Sequence, residues 1–105
     1  MIEACDSGVD NLTAADGCNI GDEVAVFEPT HGSAPKYETL DPSIVNPIAM
    51  VLSAGMMLDW LGETGLGNKL EAAVAAVIAE GKVRTYDMGG SNTSLEVGQA
   101  IANKL

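Results

Sequence analysis

Between Phe27 and Tyr37 the chain reads Phe-Glu-Pro-Thr-His-Gly-Ser-Ala-Pro-Lys-Tyr, and Asn46-Pro47 closes the stretch nine positions later. These residue types suit a nucleotide clamp. Gly32, Ser33 and Ala34 are small, so a ring or a ligand backbone can come close to the main chain. His31 offers a flat ring for stacking and a polar edge for a ribose. Lys36 is a cation and Tyr37 a phenol, a pairing that suits a phosphate ester. Asn46 can meet an adenine edge through its amide, as asparagine does when it reads adenine. Taken singly, each residue has an ordinary role. A loop histidine is more often a structural hydrogen-bonder, Lys36 and Tyr37 would be solvated, and the prolines stiffen a turn. The order and spacing carry the inference.

Several elements must position this stretch. Residues 24–27, Val-Ala-Val-Phe, form a short continuous apolar run that suits a buried strand. The following 28–46 carries Pro29, Pro35, Pro42 and Gly32 and reads as a long functional loop. Asn46-Pro47 is a helix start, with asparagine as cap and proline in the first turn. The apolar stretch 48–61 follows. It is apolar on almost all sides, which predicts burial on most faces, and Gly62 stops it. A second helix is expected over 68–80, where Leu70, Ala73, Val74, Val77 and Ile78 recur at helical spacing, with Gly81 as its stop. Gly65-Leu66-Gly67 lacks the third glycine and the preceding strand of a Rossmann fingerprint and reads as an interhelix turn. Residues 83–85 are a short extended piece and 88–90 a turn. Thr93-Ser-Leu-Glu96 matches a capping box, so a last helix runs to the C-terminus with Leu95, Ala100 and Ile101 facing inward. Residues 1–22 read as irregular, with a trace of helix at 1–5. One strand and three helices leave the strand at 24–27 without the pairing partners it needs. Those partners are expected from a missing part of the protein or from another copy.

Composition narrows the classes. Five basic against fifteen acidic residues give a formal charge of −10, which disfavours nucleic acid as a partner. A small phosphate-bearing ligand needs only local cations and N–H groups. Two cysteines make neither a disulfide scaffold nor a complete metal site, and they are expected as free thiols in a reducing compartment. The longest apolar run, 48–58, is far short of the ~20 residues that cross a bilayer. The chain is therefore expected to be a soluble protein with no membrane partner.

The stretch 27–37, the helix that begins Asn46-Pro-x-Ala-Met-x-Leu-Ser-Ala-x-Met-Met-Leu, and the later Thr85-Tyr-Asp-Met-Gly-Gly90 together resemble the β-decarboxylating dehydrogenases. That family includes isocitrate, isopropylmalate, homoisocitrate and tartrate dehydrogenases. The similarity extends from about Asn19 to Leu105. It implies an α/β fold, namely the C-terminal part of the large domain of the isocitrate and isopropylmalate dehydrogenases. This is not a Rossmann fold, and it is helix-rich with one or two short strands. The chain is then a single segment 1–105, irregular over 1–22 and cofactor-binding over 23–105. By resemblance, His31, Gly32, Ser33 and Ala34 hold the adenosine end, Thr30 is among the cofactor-binding residues, Asn46 contacts the adenine, and Asp87 lies near it. Glu28 approaches the nicotinamide ribose.

The resemblance also implies what lies elsewhere. The family's metal aspartates, its catalytic tyrosine and lysine, and its substrate-binding residues fall upstream of the matched region. The segment is therefore expected to carry no catalytic residue and no metal ligand, and to be inactive alone. Asp6, Asp10 and Asp16 do not sit in the family's aspartate motif. The complete enzyme would use magnesium or manganese to oxidise and decarboxylate a 2-hydroxy acid, as a homo-oligomer in the cytoplasm or the mitochondrial matrix. The alternative is a non-catalytic nucleotide-binding or assembly module derived from such an enzyme. In NAD-using relatives the position matching Lys36 is typically aspartate, whose charge repels a ribose phosphate. Here Lys36, Tyr37 and Tyr86 stand in its place, so the loop looks closest to NADP-type isocitrate dehydrogenases, with NAD as the alternative cofactor. Two features oppose this. Gly90 occupies a position where many NADP-using relatives have arginine, and Glu38 adds a negative charge beside the loop.

Overall fold

The computed structural model describes residues 3–6, 16–30 and 35–105, with backbone alone for 3–6 and 16. Three antiparallel strands come first, β1 (Glu3–Asp6), β2 (Asp16–Ile20) and β3 (Ala25–Pro29), in the order β1-β2-β3. Three helices follow, α1 (Ile48–Trp60), α2 (Thr64–Glu80) and α3 (Ser94–Asn103). One-turn 3-10 helices at Pro35–Tyr37 and Tyr86–Met88 interrupt the loops. Among the described residues no helix is long and apolar enough to cross a membrane.

The sheet corrects the reading of 1–22 as irregular. β1 and β2 lie within that stretch, and Asp16-Gly-Cys-Asn-Ile20 has neither apolar alternation nor strand propensity to announce it. Pairing makes it a strand: β2 aligns Cys18 with Phe27 on one side and with Cys5 on the other. The free-thiol expectation is corrected as well. Cys18 is buried and disulfide-bonded, and its register partner is Cys5. β3 begins at Ala25, and Val24 is 70% exposed. β2 supplies one of the partners that strand required. Its other edge carries no strand among the described residues.

The helices form the core. Ile48 and Leu52 of α1, Ala73, Val74 and Val77 of α2, and Val97 and Ile101 of α3 are all buried against one another. α1 begins at Ile48, one residue later than a proline at the first helical position would place it, and Pro47 is its cap residue. The Asn46 side chain still takes the Ile48 N–H at 3.0 Å. Gly62, at φ 90°, stops the helix as expected, with Glu63 N–H reaching back to the Leu58 carbonyl. Burial of α1 on most faces does not hold: Met50 and Met57 are exposed, and the core side is Ile48, Ala49, Leu52, Ser53 and Gly55.

Gly65-Leu66-Gly67 is not an interhelix turn. It forms the first turn of α2, and Gly67 is where α2 meets α1. A β-carbon on Gly67 would stand 2.9 Å from the Gly55 carbonyl oxygen and closer still to the Asp59 carboxylate. The glycines that signal a turn by propensity serve here to let two helix backbones approach.

α3 carries the full capping box. Thr93 Oγ1 accepts from Glu96 N–H at 3.2 Å, and Glu96 accepts from Thr93 N–H at 3.0 Å. That backbone bond holds the Glu96 carboxyl below its ordinary range. Just past the end of α3, Lys104 is tied to Glu80 of α2 by an ion pair. The inward face includes Ala100 and Ile101 as expected, but Leu95 is 76% exposed and Val97 takes its place in the core.

Candidate functional site

The site is assembled from two loops, 35–47 before α1 and 84–94 before α3. The second loop is closed by its own backbone. Asn92 N–H donates to the Arg84 carbonyl at 2.8 Å, and Arg84 N–H donates to Asn92 Oδ1 at 2.9 Å. Between them Met88 N–H and Gly90 N–H both reach the Thr85 carbonyl at 3.0 Å. Gly90 sits against Arg84 so closely that a β-carbon there would lie 2.2 Å from the Arg84 carbonyl oxygen. Gly89 has φ 84°, a conformation open to glycine at little cost.

The loops are joined at three places. Tyr86 Oη donates to Tyr37 Oη at 2.6 Å, with ring centroids 6.0 Å apart. Asn46 Nδ2 donates to Asp87 Oδ2 at 3.0 Å. Ser94 N–H donates to the Ser43 carbonyl at 2.9 Å, while its hydroxyl binds the Val45 carbonyl and lies 3.0 Å from the Ser43 hydroxyl.

Lys36 completes the outer end of this arrangement, with its ammonium 5.1 Å from the centre of the Tyr37 ring. One cation and two phenols thus gather at one exposed spot. Tyr86 donates to Tyr37 and pulls its phenol below the ordinary range, with the Lys36 charge helping. The same bond holds the Tyr86 proton and pushes that phenol up. Such a cluster offers hydrogen-bond donors and a positive charge to an anionic oxygen.

At the inner end two of the three polar side chains are buried, and Asp87 beside them is exposed. Asn46 is 6% exposed and Thr85 is 0%. The Asn46 amide gives its oxygen to Ile48 N–H and a proton to Asp87. Asp87 in turn accepts from the Thr85 hydroxyl through its other oxygen.

The residues singled out by sequence are distributed as follows. Lys36, Tyr37 and Tyr86 come together, and Asn46 meets Asp87 directly behind them. Glu28 is exposed on β3 and Thr30 follows that strand. His31, Gly32, Ser33 and Ala34 lie outside the described residues. Thr85, Ser43 and Ser94 were not singled out. The serines stand 51 residues apart, and no local pattern links them. Among the described residues no group of three or more His, Cys, Asp or Glu could hold a metal ion.

Comparison with known proteins places the chain. The family profile described as isocitrate/isopropylmalate dehydrogenase matches residues 7–101. An isocitrate/homoisocitrate dehydrogenase of Thermus thermophilus is 45% identical over 97 residues, which is 92% of this chain and 28% of that protein. The solved structure of the TT0538 protein, also from Thermus thermophilus, superposes with a TM-score of 0.83 at 40% identity, over 92% of this chain and 20% of the other. Isocitrate dehydrogenase from Methylococcus capsulatus superposes with a TM-score of 0.80 at 35% identity, covering 90% of this chain and 28% of that one. Matching relatives carry names of NAD-linked and of NADP-linked isocitrate dehydrogenases. The chain spans under a third of the length of each of these proteins. Its fold is correspondingly a part of the isocitrate dehydrogenase fold, and by sequence and structure alike the chain belongs to the isocitrate/isopropylmalate dehydrogenase family.

Proposed function

We propose that this chain is the cofactor-binding C-terminal portion of a dehydrogenase that oxidises and decarboxylates a 2-hydroxy acid such as isocitrate or 3-isopropylmalate, with NADP preferred over NAD. The observation that carries the reading is the convergence of Lys36, Tyr37 and Tyr86 at one exposed spot. NADP differs from NAD by one phosphate on the adenosine ribose. A cation with two phenolic hydroxyls is a donor set for that phosphate, and an aspartate at position 36 would repel it. Support also comes from the homologous NADP-linked relative, although NAD-linked ones match as well.

In this reading Lys36, Tyr37 and Tyr86 bind the ribose phosphate, and Asn46 and Asp87 form the wall beside the adenine. His31 to Ala34 line the adenosine, with Thr30 at their head, and Glu28 faces the nicotinamide ribose. The nicotinamide, when bound, accepts the hydride from the hydroxy acid. The described residues fit no metal ion. No metal role is assigned to this chain, and the metal and the proton-transfer groups are expected from the remainder of the enzyme.

The test is kcat/KM for NADP and NAD in the complete enzyme, before and after Lys36→Asp. Wild type is expected to favour NADP, and the substitution to cut that preference about 10- to 100-fold. A wild-type preference for NAD, or an unchanged ratio in the variant, defeats the reading.

A further inference from the structure

The hydrogen bonds of Asn46 and Asp87 suggest a role other than direct contact with a ligand. Three polar groups in series, Thr85, Asp87 and Asn46, satisfy one another and the first N–H of α1. Two of the three are buried. An amide committed in this way is poorly placed to exchange partners for a base, because breaking the series leaves the buried Asn46 and Thr85 side chains without their partner.

The position of the series matters more than its strength. Asp87 follows Tyr86 within a single helical turn, and Asn46 sits at the root of the loop that carries Tyr37. The loops meet again at Ser94, which binds Ser43 and Val45 at the other end of the 84–94 loop. Of the three fastenings, the Asn46–Asp87 bond is therefore the one whose partner directly follows Tyr86 in the 84–94 loop. The series also engages both oxygens of Asp87, on Asn46 and Thr85, so the carboxylate that follows Tyr86 in the chain is already partnered.

We propose that Asn46 and Asp87 are positioning residues, a latch whose mutual bond sets the spacing of the Tyr37 and Tyr86 segments and through it the preference for a 2′-phosphorylated nucleotide. This inference rests on the phosphate-binding reading of Lys36, Tyr37 and Tyr86. It assigns no base-reading role to either latch side chain.

The latch can be reversed chemically. Asn46→Asp alone sets two carboxylates against each other, and Asp87→Asn alone weakens the bond. The double variant, Asn46→Asp with Asp87→Asn, restores one donor and one acceptor with the roles exchanged. The new carboxylate would lie at the N-terminus of α1, where the helix dipole favours it. The Thr85 hydroxyl keeps an oxygen to donate to.

The experiment measures the affinities of the complete protein for adenosine 2′,5′-bisphosphate and adenosine 5′-monophosphate by calorimetry. These probes differ by the 2′-phosphate alone. Wild type is expected to favour the bisphosphate, each single variant to lose about tenfold of that preference, and the double variant to recover most of it. If wild type shows no preference, the phosphate reading has failed and the latch with it. If wild type discriminates and the single variants match it, or the double variant stays as poor as they are, the latch is overturned. A double variant that fails to recover points to direct contact of these side chains with the nucleotide. Should the variants not fold, the Asn46 side-chain amide of wild type, followed by NMR, decides. Its protons are expected to stay protected with the bisphosphate bound, and loss of protection on binding overturns the proposal.

Discussion

Tyr86 donates its phenolic proton to Tyr37 across 2.6 Å, joining segments 49 residues apart in the chain. The two rings hold each other in place, since neither loop has regular structure beyond one helical turn at that point. Replacing Tyr86 by phenylalanine keeps the ring and removes both the bond and one donor for a ribose phosphate. Tyr86→Phe in the complete enzyme is expected to lower kcat/KM for NADP about tenfold and to leave that for NAD within about twofold. Equal losses with both cofactors would mean that the hydroxyl serves folding rather than phosphate recognition.

The same bond predicts a pH dependence. Tyr37 lies below its ordinary value of 10.0, because Tyr86 donates to it and Lys36 is close, whereas Tyr86 lies above that value. As pH rises, Tyr37 therefore loses its proton first. A neutral phenol donates to phosphate and a phenolate repels it, so affinity for adenosine 2′,5′-bisphosphate should fall before pH 10 is reached, while affinity for the monophosphate stays level. Tyr37→Phe should remove this early decline, and Tyr86→Phe should move it to higher pH. A decline unchanged by both substitutions would assign the titration to another group.

Gly90 bears on how the preference could be engineered. The family resemblance implies an arginine there in NADP-using enzymes, but a β-carbon at that position meets the Arg84 backbone at 2.2 Å. The 84–92 loop must open before a side chain fits. Gly90→Arg is therefore expected to destabilise the protein by about 1–3 kcal/mol and to leave the NADP to NAD ratio unimproved. Thermal unfolding together with cofactor kinetics checks both halves, and a stable variant with a raised ratio would contradict them.

Much of this architecture was readable from local chemistry. The Thr93–Glu96 capping box, Gly62 and Gly81 as stops, and Ala73, Val74 and Val77 as core positions of α2 follow from local chemistry and spacing, and the structure has them, whereas Ile78, read onto the same face, is 40% exposed. What escaped was non-local. The β2 strand of Asp16–Ile20 exists through cross-strand pairing, and Gly67 joins α2 because another helix needs its missing side chain. Leu95 and Val97 are both apolar and two positions apart, and it is Val97, one turn before Ile101, that packs into the core. At the site, the resemblance to a known family supplied Lys36, Tyr37 and Tyr86. The bond between Asn46 and Asp87 spans 41 residues and leaves no trace in a single sequence.

β3 should make the chain associate when it is purified alone. Among the described residues its second edge is unpaired, and Val24, Val26, Met57 and Leu61 are all more than 40% exposed. An open edge beside apolar side chains is a template for pairing with another chain. Sedimentation velocity should show dimers or larger species, and Val26→Lys, a charge on the edge strand, should shift the population toward monomer. A cooperative, monodisperse monomer in wild type would show that the edge is protected.

Two glycine substitutions separate helix propensity from packing. In an open helix interior alanine gains roughly 0.5–1 kcal/mol over glycine, because it loses less backbone entropy on folding. Gly98, in the middle of α3, has nothing within 4 Å of a new β-carbon, so Gly98→Ala should show that gain as a raised melting temperature. Gly67 lies inside α2 and has the same propensity to gain, but its β-carbon would meet the Gly55 carbonyl at 2.9 Å. The Asp59 carboxylate is a flexible end and can swing away. The Gly55 carbonyl is helix backbone and moves only if α1 shifts. Overpacking costs of about 1–3 kcal/mol exceed the propensity term, so Gly67→Ala should be destabilising overall. Denaturant melts of the two variants side by side make the comparison. A stabilised Gly67→Ala would show that α1 and α2 separate freely at that crossing and do not pack there as a rigid pair.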